Sequence, residues 1–425
     1  MKRTSKILIL LLLCLSQLMS AQVEEIRTTV LANVQRCGGS SAPYEYVRQN
    51  YTPAPRGYRP FYISHFGRHG SRYHTSPDMF RAMDSLFRTA EEKGILTEYG
   101  KDIAARFKES SKVTRKYAGD LSEMGVNEHI GIASRMFRNY PGVFKGRDTR
   151  VEAVSTTSPR VILSMAAFCE TLKSENRFLN IRQQAGDATS AYLNHYTREY
   201  REYYSDGEWR GIRDAWVKEN INPSRIISSL FKDSSMFDCK DNGSKALRFV
   251  QDLFSAAAIM PASGLEPMWD IFNDDELFIL WQAKNMEQYM RKGPSGIGHD
   301  VAIGISKPLL RDFVEKAGKA IEQGTPKADL RFGHGEGIMP LSALMGIEEA
   351  SRVESDPARM YLAWQDFRIT TMAANIQWIF YKNAGGDILV KVLLNEREST
   401  LPIATDTWPY YRWEDMKSYY DCILK

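Results

Sequence analysis

The chain has 425 residues, a length that exceeds one ordinary hydrophobic core and predicts either one large domain with an insertion or two domains. Its 56 basic and 52 acidic side chains give a formal net charge of +4. This near balance identifies no class of partner by itself, and we predict no nucleic-acid partner.

The N-terminus carries an apolar run over residues 7–15. Three basic side chains precede the run, and Ser20-Ala21-Gln22 follow it. This order is typical of a signal peptide, and the run is too short to span a bilayer. We therefore predict a signal peptide over residues 1–21, export to the periplasm or the extracellular space, and no stable membrane insertion after cleavage. Because residues 1–21 hold three basic and no acidic side chains, the mature chain would carry a net charge of +1.

One helix, a buried strand and three further helices are predicted in the next part of the chain. Residues 24–35 have a helical pattern, and an irregular segment follows over 37–60. The apolar run 61–63 after Pro60 predicts a buried strand. Ser76-Pro77 then supplies an N-cap and a first-turn proline. Helices are predicted from there on over residues 78–93, 101–116 and 121–138.

The loop between that strand and the first of these helices reads Phe66-Gly67-Arg68-His69-Gly70-Ser71-Arg72. Backbone N–H groups at the carboxyl ends of strands bind anions, and the guanidinium fork matches phosphate oxygens. A histidine between two guanidinium groups is pushed toward its neutral, nucleophilic form. Taken alone, the motif is as compatible with a charged surface turn as with a phosphate site.

A second strand is predicted over residues 151–155, and it also ends at an arginine. Ser158 can cap the following helix, Pro159 can occupy its first turn, and Arg160 lies at its N-terminus. Two such loops on adjacent strands would converge on one anion.

Strand signals fade over residues 174–325, where helical patterns rich in aromatic side chains predominate. A third strand follows over 327–332, then Gly333-His334-Gly335-Glu336 and a helical pattern over 338–345. The turn at residues 383–387 joins strands predicted over 373–381 and 388–394. We predict an α/β fold with a central, mostly parallel sheet flanked by helices. Residues 22–173 and 326–425 would form this domain, and residues 174–325 would be an inserted, mainly helical cap.

The three loops carry Arg-His-Gly-Ser-Arg, Ser-Pro-Arg and His-Gly-Glu in that order. The combination resembles the histidine acid phosphatase and phytase branch of the histidine phosphatase superfamily, and within it the multiple inositol polyphosphate phosphatases. The resemblance extends from about Cys37 to the C-terminus. Further support comes from segments 121–125, 329–334 and 393–396, and from His129.

The resemblance implies that His69 attacks phosphorus and becomes a phosphohistidine, and that Glu336 protonates the leaving alkoxide. It also implies a set of side chains that hold the phosphate oxygens: Arg68, Arg72, Arg160 and His334. The spacing of Glu336 after His334 matches the inositol polyphosphate branch. The sequence departs from that branch at Gly335, where alanine is usual, and at His74, where proline is usual. Within the insertion, Arg291 and Lys292 lie in a segment that resembles one facing the substrate in that branch.

Other titratable residues have a simpler structural interpretation. Packing, capping or surface roles are expected for His65, His129, His195 and His299. Glu396 is expected to accept structural hydrogen bonds at a strand end. Four cysteines follow residue 21, at Cys37, Cys169, Cys239 and Cys422, and they allow three disulfide pairings between which the sequence does not choose.

The sequence therefore predicts an exported phosphomonoesterase that acts on inositol polyphosphates, with phytate favoured, and that needs neither a metal nor another cofactor. The predicted partner is a small polyanionic substrate. One alternative is a broad-specificity acid or sugar phosphatase with the same reacting groups. A different class is a catalytically silent polyanion-binding protein, which would have no use for His69 as a nucleophile.

Overall fold

The computed structural model describes residues 20–237 and 243–425. The predicted signal peptide lies almost wholly outside this range, as does Cys239. The thiols of Cys37, Cys169 and Cys422 are free. No helix in the described ranges is long and apolar enough to cross a membrane.

The described residues form an eight-stranded sheet in the order β3-β2-β4-β1-β5-β6-β7, with β8 paired to β6. The strands are β1 Arg59–Arg68, β2 Arg150–Ser155, β3 Asn180–Ala185, β4 Ala328–Gly333, β5 Asn375–Lys382, β6 Ile388–Leu394, β7 Arg397–Glu398 and β8 Tyr410–Arg412.

The first four strands form the parallel half of the sheet. β1 and β2 each pair in parallel with β4, and β3 pairs in parallel with β2. The remaining pairs, starting with β1 and β5, are antiparallel. The predicted fold class is therefore confirmed. One detail was wrong: β1 and β2 are not adjacent, because β4 lies between them.

Helices cover both faces of the sheet. They are α1 (residues 20–31), α2 Pro77–Glu92, α3 Glu98–Lys116, α4 Glu123–Asn139, α5 Pro141–Phe144, α6 Pro159–Glu175, α7 Asp187–Ser190, α8 Arg198–Asp206, α9 Trp209–Asn220, α10 Ser224–Leu230, α11 Ser244–Ile259, α12 Asp274–Lys292, α13 His299–Gly304, α14 Lys307–Gln323, α15 Gly335–Leu344, α16 Glu348–Ser351, α17 Met360–Ala363, α18 Asp366–Ile369 and α19 Trp413–Ile423. Short 3-10 helices lie at Val34–Ser41, Ala191–Asn194, Ser235–Phe237, Pro261–Ser263 and Trp269–Ile271.

Side chains of β1 alternate between two hydrophobic clusters, as the period of a strand requires. Tyr62 and Phe66 join the larger cluster, which includes Trp378, whereas Ile63 joins the smaller one with Phe168. The sheet is thus covered on both sides, and every residue of β4 is buried, including the charged Asp329 and Arg331.

Two helix starts differ in detail from the prediction. Pro77 and Pro159 do occupy the first turns of α2 and α6, but neither Ser76 nor Ser158 makes a side-chain capping hydrogen bond. The backbone N–H of Ser76 donates instead to His74 Nδ1 at 2.9 Å. The α12 helix has the stronger start, a reciprocal capping box between Asn273 and Glu276.

The segment predicted as a helical cap begins with a strand that the sequence analysis missed. β3 lies at the sheet edge and is largely polar and solvent-accessible, so it gives no apolar signal. Helix α2 also packs against this segment, because Phe87 lies 6.1 Å from Phe231 and 5.7 Å from Phe249 between ring centroids. The division at residues 174 and 325 remains a prediction.

Candidate active site

The three predicted loops meet at the carboxyl edge of the parallel strands. The backbone N–H of His69, just after β1, donates to Gly333 O at the end of β4 over 2.9 Å. Thr156, just after β2, donates to Phe332 O over 3.2 Å. The rings of His69 and His334 consequently lie 5.5 Å apart between centroids.

His69 is oriented for nucleophilic attack. Its ring is buried, and Nδ1 lies 2.9 Å from Gly70 O. A carbonyl oxygen only accepts, so Nδ1 carries the proton and the lone pair is on Nε2. Burial, together with the charges of Arg68 and Arg72, holds the pKa of His69 well below its usual range. The imidazole is therefore neutral at ordinary pH.

Arg68 is the best-anchored cation of the site. Its Nη1 donates to Ser40 O and Thr370 O, each at 2.6 Å. Burial lowers the pKa of Arg68 to about 10, and burial with the charges of Arg68 and Arg160 lowers that of Arg72 to about 9. Both guanidinium groups remain charged at neutral pH. Burying these charges costs free energy, and a bound anion would offset that cost.

Three guanidinium groups at the site have unused donors. The Nε atoms of Arg68, Arg72 and Arg160 are buried, and none has a hydrogen-bond partner among the described residues. Buried N–H donors are rarely left unpaired in folded proteins. Their convergence at one strand edge indicates a site for an anion with several oxygens, such as a phosphate.

His334 and Glu336 come from the loop after β4. His334 Nε2 lies 3.3 Å from Thr156 Oγ1, and burial lowers the pKa of His334 to about 4 against the opposing effect of Glu336. Glu336 lies in the first turn of α15, where the helix dipole favours a carboxylate. Its Oε1 accepts a hydrogen bond from Lys292 Nζ at 2.8 Å.

Residues 66–395 match the family model of the histidine phosphatase superfamily, branch 2. The chain belongs to this family. Human multiple inositol polyphosphate phosphatase 1 is 22% identical over 385 residues, which cover 84% of this chain and 78% of that protein. Membership places the chain among enzymes that hydrolyse phosphoric monoesters.

Solved structures of this fold include two similar enzymes. The multiple inositol polyphosphate phosphatase of Bifidobacterium longum, solved with inositol hexasulfate, has a TM-score of 0.76 at 19% identity, with 91% of this chain and 97% of that chain covered. The phytase of D. castellii has a TM-score of 0.69 at 15% identity, with 92% and 86% covered. At these identities the structures establish a shared fold.

The loop of this histidine phosphatase that carries His69 is held by a residue that the sequence analysis missed. The Glu128 carboxylate accepts from the backbone N–H and the hydroxyl of Ser71, both at 2.7 Å, and from Tyr44 N–H at 2.8 Å. A Cβ at Gly70 would collide with the backbone of Gly125 at the start of α4. The signal available in the sequence is the adjoining segment 121–125, which belongs to the resemblance described above.

Gly335, which departs from the usual alanine, lies against Arg68. A Cβ at this position would come within 3.3 Å of Arg68 Nε and 3.2 Å of Thr370 Oγ1, closer than ordinary contacts. The glycine therefore leaves room for the anchored guanidinium group.

The two cations predicted in the insertion have different surroundings. Lys292 is buried and contacts Glu336. Arg291 points elsewhere: it pairs with Glu287 and stacks on Tyr204, with 4.2 Å from its guanidinium carbon to the ring centroid. The structure thus brings Lys292, but not Arg291, into contact with a reacting group.

Residues expected to be structural lie outside the strand-edge cluster, which consists of Arg68, His69, Arg72, Arg160, His334 and Glu336. His65 and His129 are buried and pack against Phe168 and Phe332. Glu396 accepts two hydrogen bonds from Arg135, at 2.9 and 2.7 Å. His195 is exposed, and His299 pairs with neighbouring Asp300. Across residues 20–237 and 243–425, no group of three or more His, Cys, Asp or Glu side chains is arranged to hold a metal ion.

Two of the cavities in the helical region bear on the site and its substrate. One, of about 270 Å³, adjoins Glu336 and is lined by Tyr196, Tyr200, Arg201 and Tyr204. The other, of about 620 Å³, lies between α9, α11 and α12, and its basic lining residues are Arg213, Lys218, Arg248 and Lys284.

Proposed function

We propose that the protein hydrolyses phosphomonoesters of inositol polyphosphates, with phytate as the favoured substrate, through a phosphohistidine at His69. The observation that carries this proposal is the group of three arginine Nε donors, buried and unpaired among the described residues, beside a neutral histidine. The named activities of the human and Bifidobacterium longum relatives support the choice of substrate class.

In the proposed reaction, His69 Nε2 attacks phosphorus and the bond from phosphorus to the leaving oxygen breaks. Arg68, Arg72 and Arg160 neutralise the equatorial oxygens, which is the main requirement of phosphoryl transfer. The bond from His69 Nδ1–H to Gly70 O keeps the ring oriented as Nε2 gains positive charge. Glu336 gives its proton to the leaving alkoxide.

The second step reverses the proton movement. Glu336 accepts a proton from a water molecule, the water oxygen bonds to phosphorus, and the bond between phosphorus and Nε2 breaks. These side chains supply positioning, charge neutralisation and proton transfer, so we propose that the reaction proceeds without a metal or other cofactor.

Specificity for a polyanion would come from the helical region. Lys292 lies beside the acid, and the larger cavity adds the ammonium group of Lys284 on the same helix. Arg291 would contribute from the periphery only if it left its ion pair with Glu287.

A broad-specificity phosphatase is the second candidate, and the smaller cavity favours it. Its lining by Tyr196, Tyr200 and Tyr204 would accept an apolar leaving group beside Glu336. An enzyme of this kind would hydrolyse aryl phosphates with a kcat/KM at least equal to that for phytate.

We also propose that the protein is exported, on the evidence of the charged, apolar and small-residue order of residues 1–21. Mass spectrometry of the N-terminal peptide of the processed protein would test this, with Gln22 expected at the new N-terminus.

Phosphate release from phytate and from simple phosphomonoesters, each with and without a chelator, tests the main proposal. We expect the highest kcat/KM with phytate and no loss on chelation. Preference for simple esters would favour the broad-specificity candidate, and binding without turnover would favour the silent binder.

A further inference from the structure

The ion pair of the proposed acid conflicts with its role, because a general acid has to carry a proton before the leaving group departs. Glu336 Oε1 accepts from Lys292 Nζ at 2.8 Å, and this contact favours the ionised carboxylate. Lys292 is only 5% exposed, and its Nζ also donates to Gln288 Oε1 at 3.1 Å. The contact with Lys292 therefore holds Glu336 in the form that cannot donate a proton.

The groups around Glu336 reinforce this state. His334 faces it from its own loop, Lys292 from α12, Arg68 and Arg72 from the end of β1, and Arg160 from α6. Tyr200 faces it from α8 and Tyr196 from the segment just before that helix, and burial raises the pKa of both phenols, so they stay neutral. Among these groups only Glu336 is negative. Although burial alone would raise the pKa of Glu336, the charge and the hydrogen bond of Lys292 are the main opposing causes, and that pKa lies well below the usual range.

A bound substrate changes this balance of charge. Its reacting phosphate brings a double negative charge against the arginines, and a polyphosphate places further anions near the end of α12. A lysine has a flexible stem and a strongly hydrated point charge, so it can change anionic partners with little rearrangement of the backbone. Lys292 is the last residue of α12, directly before Gly293.

We propose that Lys292 moves from Glu336 to a phosphate of the substrate on binding, and that Glu336 then takes up from solvent the proton that it later gives to the leaving oxygen. This inference rests on the proposed function and adds a step to it. Lys292 would be a positioning residue that keeps the acid unprotonated until a phosphorylated ligand arrives.

The protons balance over one turnover. Binding adds one proton from solvent to the Glu336 carboxylate, and the leaving alkoxide receives it as the phosphorus–oxygen bond breaks. During hydrolysis of the phosphohistidine, water gives a proton to Glu336. Release of phosphate lets Lys292 return, and the proton passes to solvent.

Counting the protons taken up on binding tests the proposal without turnover. Inositol hexasulfate is the probe, since its sulfate esters do not titrate in the range of interest. The mature enzyme would be titrated calorimetrically at pH 6 in two buffers of different ionisation enthalpy, which gives the number of protons bound per ligand. His69 and His334 can also gain protons, so the share of Glu336 is the difference between wild type and Glu336→Gln.

We expect this share to be about one proton in wild type. In Lys292→Met the Glu336 carboxylate of the free enzyme has lost its ion pair, so it already carries part of the proton before binding. Its share of the proton uptake should therefore fall to less than half of the wild-type value. Lys391→Met is the matched control, because it removes another buried lysine that pairs with a glutamate, Glu398 at 2.7 Å, without a direct contact to Glu336, and its share should equal that of wild type.

Equal proton uptake by wild type and Glu336→Gln would overturn the proposal, and this comparison does not require the Lys292 variant to fold. A share unchanged in folded Lys292→Met would overturn the role of Lys292. Absence of hexasulfate binding to wild type would overturn the proposed substrate class as well, whereas binding without uptake by Glu336 would overturn this inference alone.

Discussion

The strand-edge cluster and the last turn of α12 both concentrate positive charge, but they use it differently. In the strand-edge cluster, each of Arg68, Arg72 and Arg160 keeps a buried donor without a partner among the described residues. In the last turn of α12, Arg291 and Lys292 each pair with a glutamate. A run of basic residues in a sequence therefore does not reveal which cations are available to a ligand.

This difference has an energetic origin. A buried cation without a counter-ion costs several kcal/mol, and a bound phosphate offsets that cost. A cation that is already paired gains much less from a second anion, because it has to give up the first. The strand-edge cluster should therefore dominate the binding of any phosphate group. The cations of α12 should contribute mainly to the binding of substrates that carry several phosphate groups.

Removal of the nucleophile should have the largest effect. His69→Ala should lower kcat by a factor on the order of 10⁴ or more, because it leaves no imidazole at the position that attacks phosphorus. Steady-state phosphate release measures the loss, and circular dichroism checks the fold. Substantial activity in the folded variant would show that His69 is not the nucleophile. The strand-edge cluster would then differ from α12 only in how its cations are paired.

Glu336→Gln should have the next largest effect, and it should depend on the leaving group. An inositol alkoxide needs a proton as it departs, so single-turnover hydrolysis of phytate should slow by ~10²–10⁴-fold. Nitrophenolate leaves without one, so a rapid burst of nitrophenol should remain. An equal loss on both substrates would make Glu336 a positioning residue.

Single replacements in the last turn of α12 would sharpen the comparison further. Lys292→Ala should lower kcat/KM for phytate by about 10- to 100-fold, the size of one charge-assisted contact, and should reduce its salt dependence. Arg291→Ala should lower it by less than about 10-fold, because that cation is already paired with Glu287. Both should affect a monophosphate less than phytate. Equal effects on the two substrates would indicate a structural role for both residues.

The smallest effect concerns stability and pH. Burial lowers the pKa of His65 to about 3 and of His129 to about 4, and it also lowers the pKa of His69, His74 and His334. The unfolded chain then binds more protons than the folded chain below about pH 6.5, so stability should fall as pH decreases from there. Each histidine contributes up to about 1.4 kcal/mol per pH unit.

Urea unfolding at pH 7 and pH 5 measures this loss. His129→Phe removes one titrating group from an aromatic environment and should make the free energy of unfolding less dependent on pH. His299→Phe serves as a control, since His299 is not buried. The same dependence in wild type and His129→Phe would show that His129 is not kept neutral by the fold.

The sequence predicted the strand-edge cluster well because each part has a local signature. Arg68, His69, Arg160 and His334 all follow short apolar runs, and parallel strands bring their carboxyl ends to one edge. Proline in the first turns of α2 and α6 marked where those helices begin.

Other features depend on contacts between distant segments, which a local pattern does not carry. Glu128 is 57 residues from Ser71, and the glutamate partners of α12 were not evident from spacing. Strand β3 escaped prediction because it lies at an edge and needs no apolar face. Arg331 is another such long-range contact, because it is fully buried in an ion pair with Asp312.

Trapping of the covalent intermediate tests the central claim most directly. The enzyme would be mixed with phytate, quenched in alkali within milliseconds, digested and analysed by mass spectrometry. The account predicts a phosphoryl group on His69 that is stable in base and lost in acid, and that is absent from His69→Ala. A phosphoryl group on another residue would contradict the account. So would turnover with no phosphoenzyme at any quench time, if Glu336→Gln also failed to accumulate a phosphoenzyme from nitrophenyl phosphate.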